Sequence, residues 1–353
     1  MNSTHKTYRD YLAEAMQQAL SSSMDTIIIG QGVTDFKGIF GTTTNLYTNF
    51  PDRVIETPLS EEGITGICVG LALRGMYPIN THIRADFGLL AANQIINMAA
   101  KYKYMFGGHY SVPMLIRMVI GRSWGQGAQH SQSLQSLFAH IPGLTVIMPA
   151  CTDSVKSSYS HAISQHKGPV ISFEHRLLYD IAFEGSDLQG SKSSPFSSRL
   201  IRKGNDVTIV ATSIMVLESM RAAIYLSDYD IDCEIIDVHN VSQPDSKLIM
   251  SSLEKTGHLL IADTSWLAYG VCAEVCRIVT QSNPGVLRAP VVTLGMSPTP
   301  CPTSQFLEDH YYPELHNTVD AIARLATGKS DHGIPIPKQE SMTKFYKSFR
   351  GPF

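Results

Sequence analysis

Asp25-Thr26-Ile27-Ile28-Ile29-Gly30 is a short apolar run of the kind that forms a strand buried on both faces. An amphipathic helical pattern from Tyr8 to Leu20 precedes it, and strand and helix patterns alternate after it. We predict further strands at Arg53–Glu56, Tyr77–Thr81, Pro113–Ile120, Thr145–Met148 and Val170–Phe173, and helices at about 61–74, 88–105, 131–139 and 152–165. Strands separated by helices of this length predict a parallel sheet covered on both faces.

A second α/β unit follows a change of composition. Residues 183–204 are rich in Gly, Ser, Lys and Pro and show no periodicity, which is typical of a linker. Beyond it we predict strands at Asp206–Thr212, Cys233–Val238, His258–Asp263 and Pro290–Leu294, and helices at 213–227, 245–255 and 270–280. The sequence therefore predicts an α/β protein with two doubly wound domains, 1–185 and 204–327, a linker at 186–203 and an extended tail at 328–353.

Composition limits the classes of function. The 353 residues are 43% hydrophobic and 17% charged, and the net charge is −3. No basic run indicates nucleic-acid binding, no apolar stretch is long enough to cross a membrane, and no signal peptide is evident, so we expect a cytoplasmic protein. The six cysteines form no CxxC pair, which favours free thiols over a metal site, and we predict no metal ligands in this chain.

Several common cofactor motifs are absent. The sequence has no GxGxxG after a strand, no Walker A sequence, no HExxH and no GxSxG. A dinucleotide fold, a P-loop, a zinc protease and a serine hydrolase are therefore not supported.

The first candidate site is Thr57-Pro58-Leu59-Ser60-Glu61-Glu62-Gly63, which opens a helix rich in small residues. One interpretation is structural: Ser60 caps the helix, and the two acids offset the helix dipole. The other is functional and buries one acid against a cofactor base. Both remain open at this level.

The second candidate site is Gly125-Gln126-Gly127-Ala128-Gln129-His130-Ser131-Gln132, a glycine-rich loop that follows a predicted strand. Ligands bind at the carboxyl ends of parallel strands, so we expect His130 to face a cleft. It would serve there as a proton donor or as a hydrogen-bond partner of a substrate carboxylate or carbonyl, oriented by Gln129 and Gln132. A lone histidine is otherwise an ordinary solvated or structural residue.

These segments resemble the beta subunits of thiamine-diphosphate-dependent 2-oxo acid dehydrogenases, the pyruvate and branched-chain decarboxylating components of the transketolase-like superfamily. The resemblance runs from about Tyr8 to Leu325. It implies a pyrimidine-binding domain followed by a domain of the transketolase C-terminal type. It also implies that Glu61 hydrogen-bonds the pyrimidine ring of thiamine diphosphate, that Phe87 packs against that ring, and that Leu59 and Leu90 contact the cofactor. Periodicity alone favours a core aromatic at Phe87 as strongly.

The same resemblance implies a partner chain. The Gly-Asp-Gly motif that holds magnesium and diphosphate in thiamine enzymes is missing here, so the resemblance places both on an alpha-type subunit of an α2β2 assembly. A lipoyl acyltransferase would be a further partner if the enzyme is a dehydrogenase.

Departures from the family pattern bear on the substrate. Gln31 stands where the dehydrogenases carry an acid. Thr81 stands where the family often has another acid, and His82 and Arg84 follow it. We expect Gln31, His82, Arg84 and Gln129 to contact the substrate. Two lost acids and two potential cations suggest a substrate with more hydroxyl groups or more negative charge.

Three functions stay open. The first is the beta subunit of a 2-oxo acid dehydrogenase, which decarboxylates the substrate and passes the acyl group to a lipoyl domain. The second is a transketolase-like or acyloin-forming ligase that passes the unit to a sugar or aldehyde. The third is an inactive scaffold subunit, which the joint presence of Glu61, Phe87 and His130 disfavours.

Overall fold

The computed structural model describes residues 6–121, 125–182 and 194–345. The chain divides into two compact units, Met1–Ile120 with Leu137–Asp187, and Gly121–Ser136 with Leu188–Phe353. Each unit contains a largely parallel sheet with helices between its strands, so the predicted α/β class with two domains is confirmed. The predicted linker residues 186–193, the tail end 346–353 and loop residues 122–124 lie outside the described residues.

The first unit contains a six-stranded sheet in the order β2-β1-β3-β4-β6-β5, and all its neighbours run parallel. The central strands are buried throughout, as expected when helices cover both faces. The strands are β1 (Thr26–Gly30), β2 (Val54–Glu56), β3 (Tyr77–His82), β4 (Met114–Ile120), β5 (Thr145–Ile147) and β6 (Pro169–His175). The helices are α1 (Tyr8–Ser22), α2 (Gly38–Gly41), α3 (Leu46–Asn49), α4 (Glu61–Leu73), α5 (Ala85–Gly88), a π-helix at Gln94–Ala99, α6 (Tyr102–Met105), α7 (Gln135–Ala139), α8 (Thr152–Ser164) and a 3₁₀-helix at Arg176–Leu178.

The strand order of this sheet defines a ligand-binding edge. The chain moves from β1 to β2 on one side, and β3 lies on the other side of β1. The order therefore reverses between β1 and β3, and open parallel sheets bind ligands in the crevice at the carboxyl ends of such strands. Gln31 follows β1, and His82 ends β3.

The second unit contains a five-stranded sheet in the order β11-β10-β8-β9-β7, in which only β7 is antiparallel to its neighbour. The strands are β7 (Arg199–Arg202), β8 (Val207–Ala211), β9 (Cys233–Asp237), β10 (Leu259–Trp266) and β11 (Val292–Met296). The helices are α9 (Ile214–Ser227), α10 (Ser246–Thr256), α11 (Val271–Ser282), a 3₁₀-helix at Pro284–Val286, α12 (Gln305–Glu308), α13 (Leu315–Thr327) and α14 (Met342–Phe345).

Two boundaries in this unit differ from the prediction. Strand β7 lies inside the segment predicted as linker, because its four residues pair with β9 but are too few to show a periodic pattern. Strand β11 begins two residues later than Pro290, which has no N–H to donate to a neighbouring strand. The limits of the two predicted domains themselves stay predictions.

The predicted continuous helix at 88–105 is wrong. The structure contains α5, the π-helix and α6 in its place, and the backbone N–H of Ala100 donates to the carbonyl of Ile95, five residues earlier, at 3.0 Å. A wider turn of this kind inserts one residue without removing the apolar face, so the hydrophobic pattern does not reveal it. Ile95 and Ala99 both stay buried.

The predicted helix at 131–139 begins four residues later than expected, since only Gln135–Ala139 is helical. Ser131 and Ser133 are buried in non-helical backbone, and the hydroxyl of Ser133 lies 3.4 Å from that of Thr264. Serine hydroxyls that find partners outside the helix favour irregular backbone over helix, and the apolar pattern does not show this competition.

A buried ion pair joins β4 to β6. Arg117 contacts Glu174 through two hydrogen bonds of 2.7 and 2.8 Å, and Nη2 of Arg117 also donates to the hydroxyl of Thr42 at 3.0 Å. The hydroxyls of Tyr159 and Tyr179 donate to the same carboxylate. Because every partner is buried, removing one member would leave an uncompensated charge in the interior.

The described part of the predicted tail packs on the second unit. The hydroxyl of Tyr225 in α9 donates to the carbonyl of Pro335 at 2.8 Å, and the imidazole of His332 lies 3.3 Å from the carboxylate of Asp320 in α13. Met342 is buried, and its N–H donates to Glu314 at 3.4 Å. No described helix is both long and apolar enough to cross a membrane.

Candidate active site

The two acids at the beginning of α4 occupy different environments. Glu61 is half-buried, and its Oε1 accepts a hydrogen bond from Nε2 of Gln31 at 3.3 Å. Glu62 is exposed, and its carboxylate accepts from Nε2 of Gln94 at 3.4 Å. Ser60 precedes the helix, but its side chain makes no capping hydrogen bond. The structural interpretation, in which Ser60 caps the helix, is therefore not supported. Of the two acids, Glu61 is the one that contacts the end of β1.

A polar cluster adjoins Glu61 at the end of β3. The amide nitrogen of Asn80 donates to the hydroxyl of Thr65 at 2.8 Å and lies 3.3 Å from Nε2 of His82. Thr65 lies one helical turn after Glu61, and Asn80 and His82 share one face of the strand. The three side chains are buried. The sequence analysis missed Thr65 and Asn80, although both follow from the helical and strand periods.

His82, a potential cation by sequence, is uncharged in the fold. Burial lowers the pKa of His82 to about 4, and the nearby Glu61 carboxylate only partly opposes this effect. His82 is 5% exposed, so it is a neutral imidazole near pH 7. The residue type alone does not reveal this charge state, because the pKa depends on burial.

The other site residues predicted in this unit differ in their exposure to solvent. Arg84 is 1% exposed at the beginning of α5, and Phe87 is half-buried within that helix. Leu59 and Leu90 are 82% and 61% exposed. These two leucines lie just before Glu61 and just after α5. Large apolar side chains with this much exposure are typical of a surface that another molecule covers.

Gln129 and His130 belong to the segment Gly121–Ser136 of the second unit. Gln129 is exposed and His130 is half-buried. Gly125 and Gly127 have φ angles of +77° and +71°, and a Cβ on either would lie within 2.7 Å of an atom of Thr303. Only glycine fits both the backbone conformation and the close contact, so these residues set the path of the loop that carries His130.

A second polar cluster anchors the same segment. Nε2 of Gln135 donates to both oxygens of the Asp263 carboxylate at 3.0 and 3.2 Å. The hydroxyls of Thr212 and Ser265 donate to the same carboxylate, at the carboxyl ends of β8 and β10. The sequence analysis did not identify Asp263, because its partners are distant in the sequence. This cluster holds the His130 segment against the edge of the second sheet.

The first unit thus brings together Gln31, Glu61 and His82 at the edge where the strand order reverses, and the second unit presents His130 on an anchored loop. A carboxylate acceptor in the first turn of a helix, with exposed leucines nearby, fits an aromatic heterocycle that has a protonated ring nitrogen. No group of three His, Cys, Asp or Glu side chains suited to a metal ion occurs among the described residues.

Two family models match the chain. The transketolase pyrimidine-binding domain matches residues 4–181, and the transketolase C-terminal domain matches residues 197–317. The boundary between the two matches falls in the segment where the composition changes.

Individual proteins give the same result. The chain is 34% identical to the acetoin:2,6-dichlorophenolindophenol oxidoreductase subunit beta of Cupriavidus necator, with 89% of this chain and 96% of that protein covered. It is 33% identical to the human mitochondrial pyruvate dehydrogenase E1 component subunit beta, with 90% of each covered. A solved split-gene transketolase, described as an inactive beta4 tetramer, shares the fold with a TM-score of 0.72 at 20% identity, covering 92% of this chain and 99% of that one.

Proposed function

Because the chain belongs to the transketolase-like family that includes the beta subunits of pyruvate dehydrogenase E1, we propose that it is the beta-type subunit of a thiamine-diphosphate-dependent enzyme. The enzyme decarboxylates a 2-oxo acid and transfers the acyl unit. The observation that carries the proposal is the half-buried carboxylate of Glu61, which Gln31 contacts at the reversal point of the first sheet.

The residues present fit the pyrimidine half of the cofactor. Glu61 offers a carboxylate oxygen to a ring nitrogen, and Phe87, Leu59 and Leu90 offer apolar surface to the ring. When bound, thiamine diphosphate supplies a carbon nucleophile and an electron sink for the decarboxylation. Glu61 would hold a proton on the ring nitrogen of the bound cofactor, and Gln31 would keep the carboxylate oriented.

The partner follows from what the sequence lacks. Without a Gly-Asp-Gly motif, this chain leaves the diphosphate and its magnesium ion to an alpha-type subunit, and the α2β2 assembly completes each site at a subunit boundary. The exposed Leu59 and Leu90 support such a boundary, because an assembly would remove them from water.

We assign His130 to the substrate instead of the cofactor. Its loop is anchored through Gln135 and Asp263, so the imidazole has a defined position from which to donate a proton or bind a substrate oxygen. Gln129, exposed beside it, is placed to contact the same substrate.

A second candidate keeps the cofactor and changes the acceptor to a sugar or aldehyde. One observation favours it: residues 332–342 pack on α9 and α13 of the second unit. The resemblance implies that the dehydrogenases dock their acyltransferase through this domain. A C-terminal domain covered in this way supports an enzyme that works without a lipoyl protein.

Affinity purification of the tagged chain from its host, followed by mass spectrometry and a decarboxylation assay, tests both candidates. We expect a co-purifying chain that carries Gly-Asp-Gly, and activity that is lost on removal of thiamine diphosphate and restored by adding it. A lipoyl acyltransferase in the same complex would select the dehydrogenase, and its absence would select the ligase. Activity that does not depend on thiamine diphosphate would overturn the proposal.

A further inference from the structure

The hydrogen bonds of Asn80 determine the tautomer of His82. An amide nitrogen can only donate, and that of Asn80 lies 3.3 Å from Nε2 of His82 and 2.8 Å from the hydroxyl of Thr65. Nε2 of His82 must therefore accept, and the proton of the neutral ring sits on Nδ1. Because Asn80 and Thr65 are buried and hydrogen-bonded to each other, the amide is held in place.

The opposite ring nitrogen has no acceptor among the described residues. Nδ1 of His82 makes no hydrogen bond with any residue that the structure describes, although the side chain is 5% exposed. Unlike the ring nitrogens of His239, which are cut off from water, Nδ1 of His82 keeps contact with solvent, so its N–H group is accessible at this edge of the sheet. His82 therefore presents a donor that a ligand at this edge of the sheet would satisfy.

We propose that Asn80 and Thr65 hold His82 as a specificity-determining residue, which donates its Nδ1–H to an uncharged hydroxyl or carbonyl oxygen in the side chain of the 2-oxo acid substrate. This inference rests on the proposed function, since it takes the edge near Glu61 as the substrate site.

The charges around His82 select an uncharged group. The Glu61 carboxylate is close enough to influence the pKa of His82, and a second anion placed there would be repelled. The neutral imidazole offers one hydrogen bond but no charge to offset that repulsion. An oxygen of a hydroxyl or carbonyl group accepts the hydrogen bond without the electrostatic cost, so a hydroxylated side chain is favoured over an alkyl or an acidic one.

A matched pair of substrates tests the role. The assembled enzyme is assayed with two 2-oxo acids that are identical except at one side-chain position, where one acid carries a hydroxyl group and the other a methyl group. We expect a higher kcat/KM for the hydroxylated acid, and the ratio should fall about tenfold or more in His82→Leu, which cannot donate. His82→Asn keeps an N–H near the position of Nδ1 and should retain most of the preference. An unchanged ratio in His82→Leu would overturn the proposal.

The tautomer is tested separately by ¹⁵N NMR of the histidine rings in the purified chain. Wild type should show the proton on Nδ1. Asn80→Asp replaces the donor with an acceptor, so the proton should move to Nε2 and the preference for the hydroxylated acid should fall. Asn49→Asp makes the same chemical change at an exposed position and should alter neither result. A proton on Nε2 in wild type would contradict the argument.

The two proposals fail in distinguishable ways. Wild-type activity without thiamine diphosphate would refute the proposed function, whatever the NMR result. Thiamine-dependent activity with the same substrate ratio in wild type and His82→Leu would refute the role of His82 alone.

Discussion

Nε2 of Gln31 donates a hydrogen bond to Oε1 of Glu61 at 3.3 Å, which links the end of β1 to the first turn of α4. The carboxylate also lies in the first turn of α4, at the positive end of the helix dipole. The neighbouring Glu62 shares the helix terminus but is exposed and contacts Gln94 instead. Position within the fold, rather than residue type, therefore distinguishes a catalytic candidate from a surface acid.

Glu61→Gln should reduce kcat of the assembled enzyme by about 100-fold or more. A neutral amide stabilises the proton on the pyrimidine ring nitrogen of the cofactor less than a carboxylate does. Glu61→Ala should behave in the same way, and neither change should prevent assembly, which size-exclusion chromatography would show. Glu62→Gln is the matched control and should keep near wild-type activity. Full turnover in Glu61→Gln would refute the assigned mechanism.

His130→Ala should impair substrate turnover far more than cofactor binding, because His130 is assigned to the substrate. The kcat/KM for the 2-oxo acid should fall by roughly 100-fold. The dissociation constant of thiamine diphosphate, measured by calorimetry on the assembled enzyme, should change little. His140→Ala removes an exposed histidine and serves as the control. A defect confined to cofactor affinity would reassign His130 to the cofactor.

The stability of the chain should depend on pH through His82. Its pKa is near 6.5 in the unfolded chain and about 4 in the fold, so the unfolded state binds more protons between these values. The contribution of neutral His82 is therefore complete above about pH 6.5 and is lost as the pH falls toward 4, by at most roughly 3 kcal/mol. Urea unfolding of wild type and His82→Leu at several pH values measures the effect. Parallel curves for the two proteins would contradict it.

Two glycines with similar backbone conformations should differ in their tolerance of alanine. Gly143 and Gly75 have φ angles of +100° and +91°. A Cβ at Gly143 would lie 2.1 Å from the carbonyl oxygen of Ala100, whereas one at Gly75 meets nothing within 4 Å. Gly75→Ala should cost only the strain of its φ angle, about 1–2 kcal/mol, and Gly143→Ala should cost clearly more in the free energy of unfolding. Equal losses would show that the contact with Ala100 relaxes freely.

Local patterns predicted most of the elements correctly. The isoleucine run of β1, the apolar strand β4 and the amphipathic α1 carry their periods within a few residues, so the sequence alone reveals them. The π-helix at Gln94–Ala99 and the irregular backbone around Ser133 were not predictable in this way. Both depend on hydrogen bonds that leave the hydrophobic pattern unchanged.

The sequence by itself determined the alternation of strands and helices and the two-domain α/β class, and its acid–glycine helix and histidine loop carried the resemblance to thiamine enzymes. These features depend on residue type and on spacings of a few residues. Only the tertiary structure decided which acid contacts Gln31, that His82 is neutral, and that Asn80 sets its proton. Hydrogen-bond partners and burial arise where distant segments meet, and a pKa follows from that environment rather than from the residue alone.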